Sequence, residues 1–365
     1  MGIDLDHIPV DVVFHARWWH EHYGITFDEG FFVDPRRRVE DECRMRRALY
    51  ERFGDLGLGE RDARPRPIVG PVLLATGHVL TTLFGCEVIF REATGPEVVA
   101  LNLGAEDVMA LELPDLAKHP VWQAHVKMMD ALEERFGYLE GDIPVHGIIN
   151  AALEIRGQEF LIDLLENPAL VDHLGWLIAR TAIAMASEVR GRTGSSSITV
   201  NRIIEQIDPY IHIVPNCSLQ MISPRTYQER LLKFDQYLLQ ELAPAGFHHC
   251  GGNGHLHAPV YAKACPVYMD VGWGSDVAAV RRALPNAWLS LRLSPVKLMT
   301  CSAEEVCEDV WRLLDAAGGV HRTAVACVNM DYGTPDENVR AIFRAVSAYE
   351  KVHRDRVGQT DAVGG

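Results

Sequence analysis

Four short apolar segments in the C-terminal third decide the fold: GFHHC at 246–250, VYMDV at 267–271, AWLSLRL at 287–293 and TAVACV at 323–328. The stretches between and after them have helical periodicity, at 275–284, 302–317 and 336–351. Strands that alternate with helices predict a parallel sheet. So many short repeats favour an α/β fold of the (β/α)8 TIM-barrel type over an open doubly wound sheet. The G-x-G-x-x-G phosphate fingerprint common in open sheets is absent from the sequence.

The same alternation extends upstream of these segments. Ser223 followed by Pro224 is a strong helix start, and Ser302 with Glu305 forms a predicted capping box. Asn167 and Pro168 mark a helix break. The further elements predicted here are a strand at 145–155, a helix from 157, a helix at 170–189, a strand at 210–214 and a helix from 224 to about 242.

The N-terminal 60 residues lack this pattern. We interpret 1–60 as an N-terminal helical extension packed on the barrel, with a helix at 36–53 that ends at Gly54. The barrel domain is then 61–352. Residues 353–365 are predicted to be a disordered tail.

Composition narrows the class of protein. The 365 residues carry a formal net charge of −15, and clustered Lys and Arg are scarce, which disfavours a nucleic-acid partner. We find neither an apolar run long enough for a membrane span nor a secretory signal pattern at the N-terminus. Eight cysteines without such a signal predict a reducing, cytoplasmic location rather than a disulfide framework. An acidic enzyme with a small-molecule substrate or a docked protein partner fits these properties best, and a homodimer is left open.

Two strand ends carry the residues with the strongest chemical character. His248 and Cys250 are two residues apart, so their side chains point to the same side of an extended segment. Cys327 ends the last strand, and barrel active sites form at the carboxyl ends of the strands. One imidazole and two thiolates suit Zn²⁺, and three protein ligands leave the open position of a catalytic site. The predicted catalytic and metal ligands are His248, Cys250 and Cys327.

This interpretation has competitors in the residues themselves. Buried cysteines are common without any metal, and His249, His255 and His257 are alternative ligands in the same loop. They can equally line the pocket or be ordinary loop residues.

The sequence resembles the uroporphyrinogen decarboxylase superfamily over about 145–350, and within it most closely the zinc-dependent methyltransferases that work with corrinoid proteins. The resemblance rests on LEIRGQEFLIDLL at 153–165 followed by Asn167-Pro168, on MISPRTY at 221–227, on HHCG at 248–251 and on TPDENV at 334–339. Those methyltransferases hold zinc with a His-x-Cys at one strand end and a cysteine on the last strand. His248, Cys250 and Cys327 match that pattern.

The resemblance implies methyl transfer between a small substrate and a cobalt corrinoid (cobalamin type) carried by a partner protein. Either zinc presents a thiolate substrate to methyl-cobalt, or it activates a methylated oxygen, sulfur or nitrogen compound for attack by Co(I). True porphyrinogen decarboxylases carry an Arg-Gln-Ala-Gly-Arg motif, and the nearest stretch here, FHARWW at 14–19, departs from it at almost every position. A decarboxylase or lyase of the superfamily, or a non-catalytic corrinoid- or tetrapyrrole-binding protein, stays as the alternative.

Further polar side chains near the strand ends are predicted to contribute to the pocket. Those assigned here to substrate or pocket contacts are Asn216, Cys217, Met221, His249, Asn329, Asp331 and Glu205. His78 and His146 are more typical of hydrogen-bonded core histidines than of pocket residues.

Overall fold

The computed structural model of the protein describes residue 5 and residues 7–71, 78–195 and 202–362. Its main sheet has six strands that all run parallel, in the order β1-β8-β7-β6-β5-β4. A separate antiparallel hairpin joins β2 and β3. The strands are β1 Val10–Phe14, β2 Glu87–Ile89, β3 Glu97–Val99, β4 His212–Pro215, β5 Ala245–His249, β6 Tyr268–Val271, β7 Trp288–Arg292 and β8 Thr323–Met330.

Helices alternate with the strands of the main sheet and cover it. They are α1 Ala16–Tyr23, α2 Glu29–Val33, α3 Pro35–Phe53, α4 Val79–Thr82, α5 Ala105–Ala110, α6 Pro120–Phe136, α7 Ile148–Arg156, α8 Glu159–Glu166, α9 Pro168–Thr193, α10 Ile203–Ile207, α11 Pro224–Arg230, α12 Leu232–Glu241, α13 Gly254–Tyr261, α14 Val277–Ala283, α15 Pro295–Thr300, α16 Ala303–Ala316 and α17 Asp336–Ala362. Short 3₁₀ turns lie at Gly54–Leu56, Cys217–Met221 and Ala262–Ala264.

The α/β class with a parallel sheet is confirmed, and the six-stranded sheet is compatible with a TIM-type fold. Among the described residues, eight paired strands of a closed barrel are not present. An isolated parallel bridge joins Ile68 to Glu140, in two segments that fall between β1 and β4 along the chain. The eight-stranded barrel therefore stays a prediction.

The predicted elements of the C-terminal third are confirmed to within two residues at most ends, apart from α17, which runs on to Ala362. Ser302 and Glu305 form the predicted capping box, with Ser302 Oγ accepting from Glu305 N at 3.2 Å. Ser223 caps α11 in the same way, through Thr226 N at 3.0 Å. α17 therefore extends into the segment 353–365. The disorder of that tail stays a prediction.

Three predictions differ from the structure. The single helix predicted from 224 to about 242 is divided at Leu231 into α11 and α12. The segment 145–155, predicted as a strand, contains helix α7, because Ala151, Ala152, Leu153 and Glu154 are strong helix formers. Residues 10–14, placed in the N-terminal extension, form β1, which pairs with β8 from Val10↔Val325 onward. The first 60 residues therefore contribute an edge strand to the sheet, and the domain boundaries otherwise stay predictions.

The two faces of the sheet are buried differently. Phe247, Met269, Leu291 and Val325 belong to the large core shared with the helices. On alternate positions, Tyr268, Trp288, Ala324 and Ala326 form a smaller cluster with the isoleucines of α10 and β4. Helix α9 is long and apolar enough to cross a membrane by composition alone, but 61% of its apolar window is buried in the fold, as in the core helix of a soluble protein.

Candidate metal centre

The carboxyl ends of three neighbouring strands bring two of the predicted ligands, His248 and Cys250, together with Cys217 and Asp270. Cys217 follows β4, His248 lies within β5, and Cys250 comes directly after β5. Asp270 lies in β6, paired in register with His248. Because these strands are parallel and adjacent, residues far apart in the chain meet at one edge of the sheet.

The donor atoms of Cys217, His248 and Cys250 form one cluster, which we call the metal cluster. His248 Nε2 lies 2.6 Å from Cys250 Sγ, and Cys250 Sγ lies 2.9 Å from Cys217 Sγ. All three donor atoms lie within 4.8 Å of one another, and His248 is fully buried. One imidazole nitrogen and two sulfurs are therefore poised around a single point.

Close backbone packing holds the two cysteine loops in place. Asn150, in α7, donates from Nδ2 to Pro215 O at 2.8 Å and accepts from Ser218 N at 2.9 Å, so it brackets Cys217. Gly272 lies against the other loop, where a Cβ atom would come within 2.5 Å of the backbone of His249, Cys250 and Gly251. Only glycine fits that position.

A buried carboxylate orients the imidazole. Asp270 Oδ2 lies 2.8 Å from His248 Nδ1, and Asp270 Oδ1 accepts from Tyr268 OH at 2.8 Å. With Nδ1 donating to the carboxylate, Nε2 is the ring nitrogen that faces the thiols and that can bind a metal once its proton is displaced, which is the arrangement of a metal-binding histidine. Arg292 Nη1 lies 3.3 Å from the same Nδ1 and adds positive charge beside the carboxylate.

These contacts shift the protonation of the cluster. Burial by itself lowers the pKa of His248, but the Cys250 thiol and Asp270 outweigh it and raise that pKa to about 9. The contact between the two cysteines lowers the pKa of Cys217 and, together with burial, raises the pKa of Cys250 to about 12. Without a metal the cluster therefore holds protons at neutral pH that a cation would displace.

The donor set fits zinc. Zn²⁺ prefers thiolate and imidazole ligands, at about 2.3 Å and about 2.0–2.1 Å. One ion can therefore reach donor atoms that all lie within 4.8 Å of one another. Cys217 is half-buried rather than buried, so the cluster has one side that a small molecule can approach.

Cys327 lies apart from this cluster. It is fully buried, its Sγ contacts Leu293 O at 3.8 Å, and burial raises its pKa to about 12. Along β8 it alternates with Ala326, which pairs with Arg292, so its side chain points to the face opposite that of Arg292. That face carries the helix-covered core. A role for Cys327 as a zinc ligand stays a prediction that this geometry does not favour.

The three other histidines near the cluster, predicted to share a loop with it, lie in β5 (His249) and α13 (His255 and His257) and have partners outside the cluster. His249 is buried between Tyr261 OH and Asn253 Oδ1, each 2.9 Å from a ring nitrogen. His255 Nδ1 accepts from Asp276 N at 3.2 Å, and His257 is buried, with Nδ1 3.5 Å from Asn253 O. None of the three belongs to the metal-capable group found among the described residues.

Two further predicted pocket residues, Asn216 and Met221, lie on either side of Cys217 in the chain. Asn216 is buried next to Cys217, and its Nδ2 donates to Asp235 Oδ2 at 2.7 Å. Met221 is 52% exposed at the end of the same turn. Their contacts with a substrate stay predictions.

Asn329 and Asp331 follow Cys327 at the end of β8, and Asn329 adopts a left-handed backbone with φ of 61°. Glu205 is exposed in α10, which precedes β4, and pairs with Arg202 at 3.3 Å. Glu205 therefore precedes β4 in the chain, whereas Cys217 follows the carboxyl end of that strand. His146 pairs with Glu154 Oε2 at 3.1 Å, the partnered state expected of a core histidine.

Asp270, Tyr268 and Arg292 were not singled out from the sequence. They had one recognisable feature: Asp270 and Arg292 are charged residues inside short apolar strands. On their strands they occupy the alternation that carries His248 in β5, as the register pairs His248↔Asp270 and Asp270↔Ser290 show. A charge buried in a strand needs a partner, and here the partner is the histidine.

The sequence model described as "Uroporphyrinogen decarboxylase (URO-D)" matches residues 72–349. The chain belongs to the uroporphyrinogen decarboxylase family. No curated protein matches it in sequence.

Two solved structures are similar in fold. One is a methyltransferase from Methanosarcina mazei, with a TM-score of 0.65 and 15% identity, covering 94% of this chain and 95% of that one. The other is a B12-independent methionine synthase from Shewanella sp. W3-18-1 in complex with selenomethionine, with a TM-score of 0.49, 11% identity and coverage of 97% and 99%. At 15% identity, the likeness to the methyltransferase concerns the fold alone.

Proposed function

We propose that this family member is a zinc-dependent methyltransferase that moves a methyl group between a small substrate and a cobalt corrinoid carried by a partner protein. The observation that carries the proposal is the metal cluster, with Nε2 of His248 and two cysteine sulfurs within 4.8 Å of one another at the carboxyl end of the sheet. The proposal agrees with the family and with the methyltransferase from Methanosarcina mazei that shares the fold. A cytoplasmic location, and a homodimer as an open alternative to a monomer, belong to the same proposal.

Each residue of the site has a distinct task in this scheme. His248 and Cys250 hold the metal, Asp270 keeps His248 in the tautomer that offers Nε2, and Cys217 lies at the half-buried side. When bound, zinc supplies Lewis-acid activation, which makes a thiol substrate a better nucleophile or a methylated substrate a better methyl donor. Burial of His248 and Asp270 keeps water away from this pair and strengthens the charge interaction between them.

The third protein ligand is the point on which sequence and geometry diverge. Cys217 contacts Cys250 directly, whereas the sequence pattern predicts Cys327. We assign the role to Cys217 on proximity and retain Cys327 as the alternative, which requires β8 to rearrange when metal binds.

Measuring the metal content tests both the presence of a zinc site and the identity of its third protein ligand. We expect about one zinc per chain by elemental analysis, lost in His248→Ala and Cys250→Ala because removing one donor from a three-ligand site weakens it severely. Cys217→Ser should lose zinc and Cys327→Ser should keep it; the reverse result would restore Cys327. The exposed Cys265 offers a matched control, since Cys265→Ser should bind zinc like the wild type.

Turnover separates the proposal from its alternatives. Methyl-cobalamin with an added thiol, or Co(I) cobalamin with a methylated compound, should show spectral change that depends on Cys250. A zinc-free protein that decarboxylates a substrate at full rate would establish the decarboxylase or lyase alternative. Tight corrinoid binding without turnover would establish the non-catalytic one.

A further inference from the structure

A buried arginine far from the metal cluster along the chain forms no ion pair with a carboxylate of the described residues. Arg38, in α3, is 1% exposed. Its Nε donates to Ile68 O at 3.1 Å and its Nη1 to Phe32 O at 2.8 Å, while Nη2 meets only the sulfur of Met128 at 2.8 Å. A guanidinium has five N–H groups, so two of them and one weak sulfur contact are left for another acceptor.

The charge of Arg38 is retained in spite of its burial. Burial lowers its pKa to about 10 against the opposing charges of Asp34 and of Glu42, which is itself fully buried one helical turn away, so the group stays protonated at neutral pH. Within the described residues no carboxylate lies at ion-pair distance from it. A buried charge without a direct ion pair is costly, and a bound anion offsets part of that cost.

A small void adjoins this guanidinium. It has a volume of about 20 Å³, and Arg38, Phe32, His78 and His125 are among its walls. About 10–15 Å³ suffices for one water-sized group, so the void accepts one polar head group. His78 Nδ1 is buried and has no hydrogen-bond partner, so it offers a second polar contact there.

A larger pocket shares three of these walls. It has a volume of about 440 Å³ between α2, α4, α6 and the β2–β3 hairpin, and Phe32, His78 and His125 line both spaces. Phe32, His78 and Phe90 form an aromatic wall, with ring centroids 5.3–5.7 Å apart. This volume is in the range of small-molecule sites, which are mostly apolar with a few placed polar groups.

The histidines leave Arg38 as the source of positive charge. Burial lowers the pKa of His78 to about 3 and that of His125 to about 4, so both rings are neutral at physiological pH. The acidic wall residue, Glu29, is exposed. The inner end of the site is therefore positive and the outer part is apolar.

From this arrangement we propose that the two adjoining spaces, which we call the Arg38 pocket, bind a small aromatic monocarboxylate. The carboxylate lies in the small void against Arg38 and His78, and the ring lies against Phe32 and Phe90 in the larger space. The Arg38 pocket shares no residue with the metal cluster, and this inference does not rest on the proposed function.

Benzoate and its neutral isostere benzamide are the probes, titrated against the full chain by calorimetry. Benzoate should bind at least about tenfold more tightly than benzamide, because a buried charge-assisted hydrogen bond is absent from the amide complex. Arg38→Met should abolish that preference. Equal binding of the two probes, or no benzoate binding at millimolar concentration, overturns the proposal and leaves the void to water.

A second variant guards against misfolding of Arg38→Met. Ala124 is exposed on α6 and lines the larger pocket, so Ala124→Trp fills the space without disturbing the core. It should abolish benzoate binding while zinc content and the melting temperature stay unchanged. Ala110→Trp, at an equally exposed alanine of α5, should bind benzoate like the wild type. Benzoate binding that survives Ala124→Trp places the ligand elsewhere and overturns the assignment.

Discussion

The metal cluster and the Arg38 pocket are both buried polar sites, yet they are organised in opposite ways. In the metal cluster the donors face one another, with contacts of 2.6 Å and 2.9 Å, and a carboxylate fixes the histidine. In the Arg38 pocket the guanidinium and the imidazole of His78 face space, and Nδ1 of His78 has no partner. Donors gathered around one point suit a small cation, whereas separated donors around a void suit an anion with volume of its own.

The difference also concerns how each site is supported. Strand register and a glycine-dependent close approach position the metal cluster, so its geometry is fixed by the sheet. The Arg38 pocket is built instead from helices and a short hairpin, with no strand of the main sheet among its described walls. We expect substitutions around the metal cluster to have effects of graded size.

The largest effect is expected at Asp235, which supports the turn that carries Cys217. Its Oδ2 accepts from Asn216 Nδ2 and Tyr227 OH, at 2.7 Å and 2.8 Å, and its Oδ1 has no partner. Burial raises its pKa from 3.8 to about 6. Because the folded protein binds this proton more tightly than the unfolded chain, its contribution to stability is complete below about pH 4 and is lost as pH rises through about 6.

Asp235→Asn removes this titration and keeps the shape. Relative to the wild type, the variant should gain about 3 kcal/mol of unfolding free energy between about pH 4 and about pH 7. Urea unfolding with a chelator present measures the difference. Asp62→Asn, at an exposed position, should leave the pH profile of the wild type unchanged. A difference between Asp235→Asn and wild type that does not grow with pH would show that Asp235 is ionised at little cost.

A smaller effect is expected for Asp270→Asn, which removes the charge that orients His248. Loss of such a partner of a metal-binding histidine lowers metal affinity by about 10- to 100-fold. Competition with a chromogenic chelator measures the zinc affinity. Asp309→Asn, in a surface ion pair with Lys297, is the control and should match the wild type. Wild-type affinity in Asp270→Asn would mean that the packing of β5 alone holds the imidazole.

Sequence patterns predicted the elements of the C-terminal third well and several elements upstream of them poorly. From β5 to α17 each strand is followed by one helix, or by two in the case of α15 and α16, and explicit caps such as Ser302 mark the helix starts, so periodicity locates most of these elements. Upstream, an apolar run such as 145–155 is as consistent with a helix as with a strand, and here the helix formers at 151–154 decide it. The sequence did not indicate β1, because a strand of five residues beside an aromatic cluster is too short to show a clear alternation.

The same reasoning explains what was found of the site. His248 and Cys250 are neighbours in sequence, so an extended segment alone brings them together. Cys217 and Asp270 join them only through the order of β4, β5 and β6 in the sheet, which local sequence does not specify. Cys327 was placed with them because strand ends converge in a barrel, but the alternation of β8 turns its side chain to the helix-covered face.

The smallest effect is expected one step further from the metal, at Tyr268. Its hydroxyl donates to Asp270 Oδ1 at 2.8 Å, and its ring is fully buried in the cluster with Trp288 and Ala326. Tyr268→Phe keeps the ring and removes one hydrogen bond to a carboxylate that still contacts His248. A single buried hydrogen bond contributes about 0.5–1.5 kcal/mol, so zinc affinity should fall by about two- to tenfold, less than in Asp270→Asn.

The matched control is Tyr349→Phe, which removes a similar 2.8 Å hydrogen bond from α17 to Asp315 in α16 and should leave zinc affinity unchanged. If Tyr268→Phe lowered affinity as much as Asp270→Asn, the hydroxyl and the carboxylate would act as one unit. The support of the metal cluster would then extend through β6 rather than end at the carboxylate.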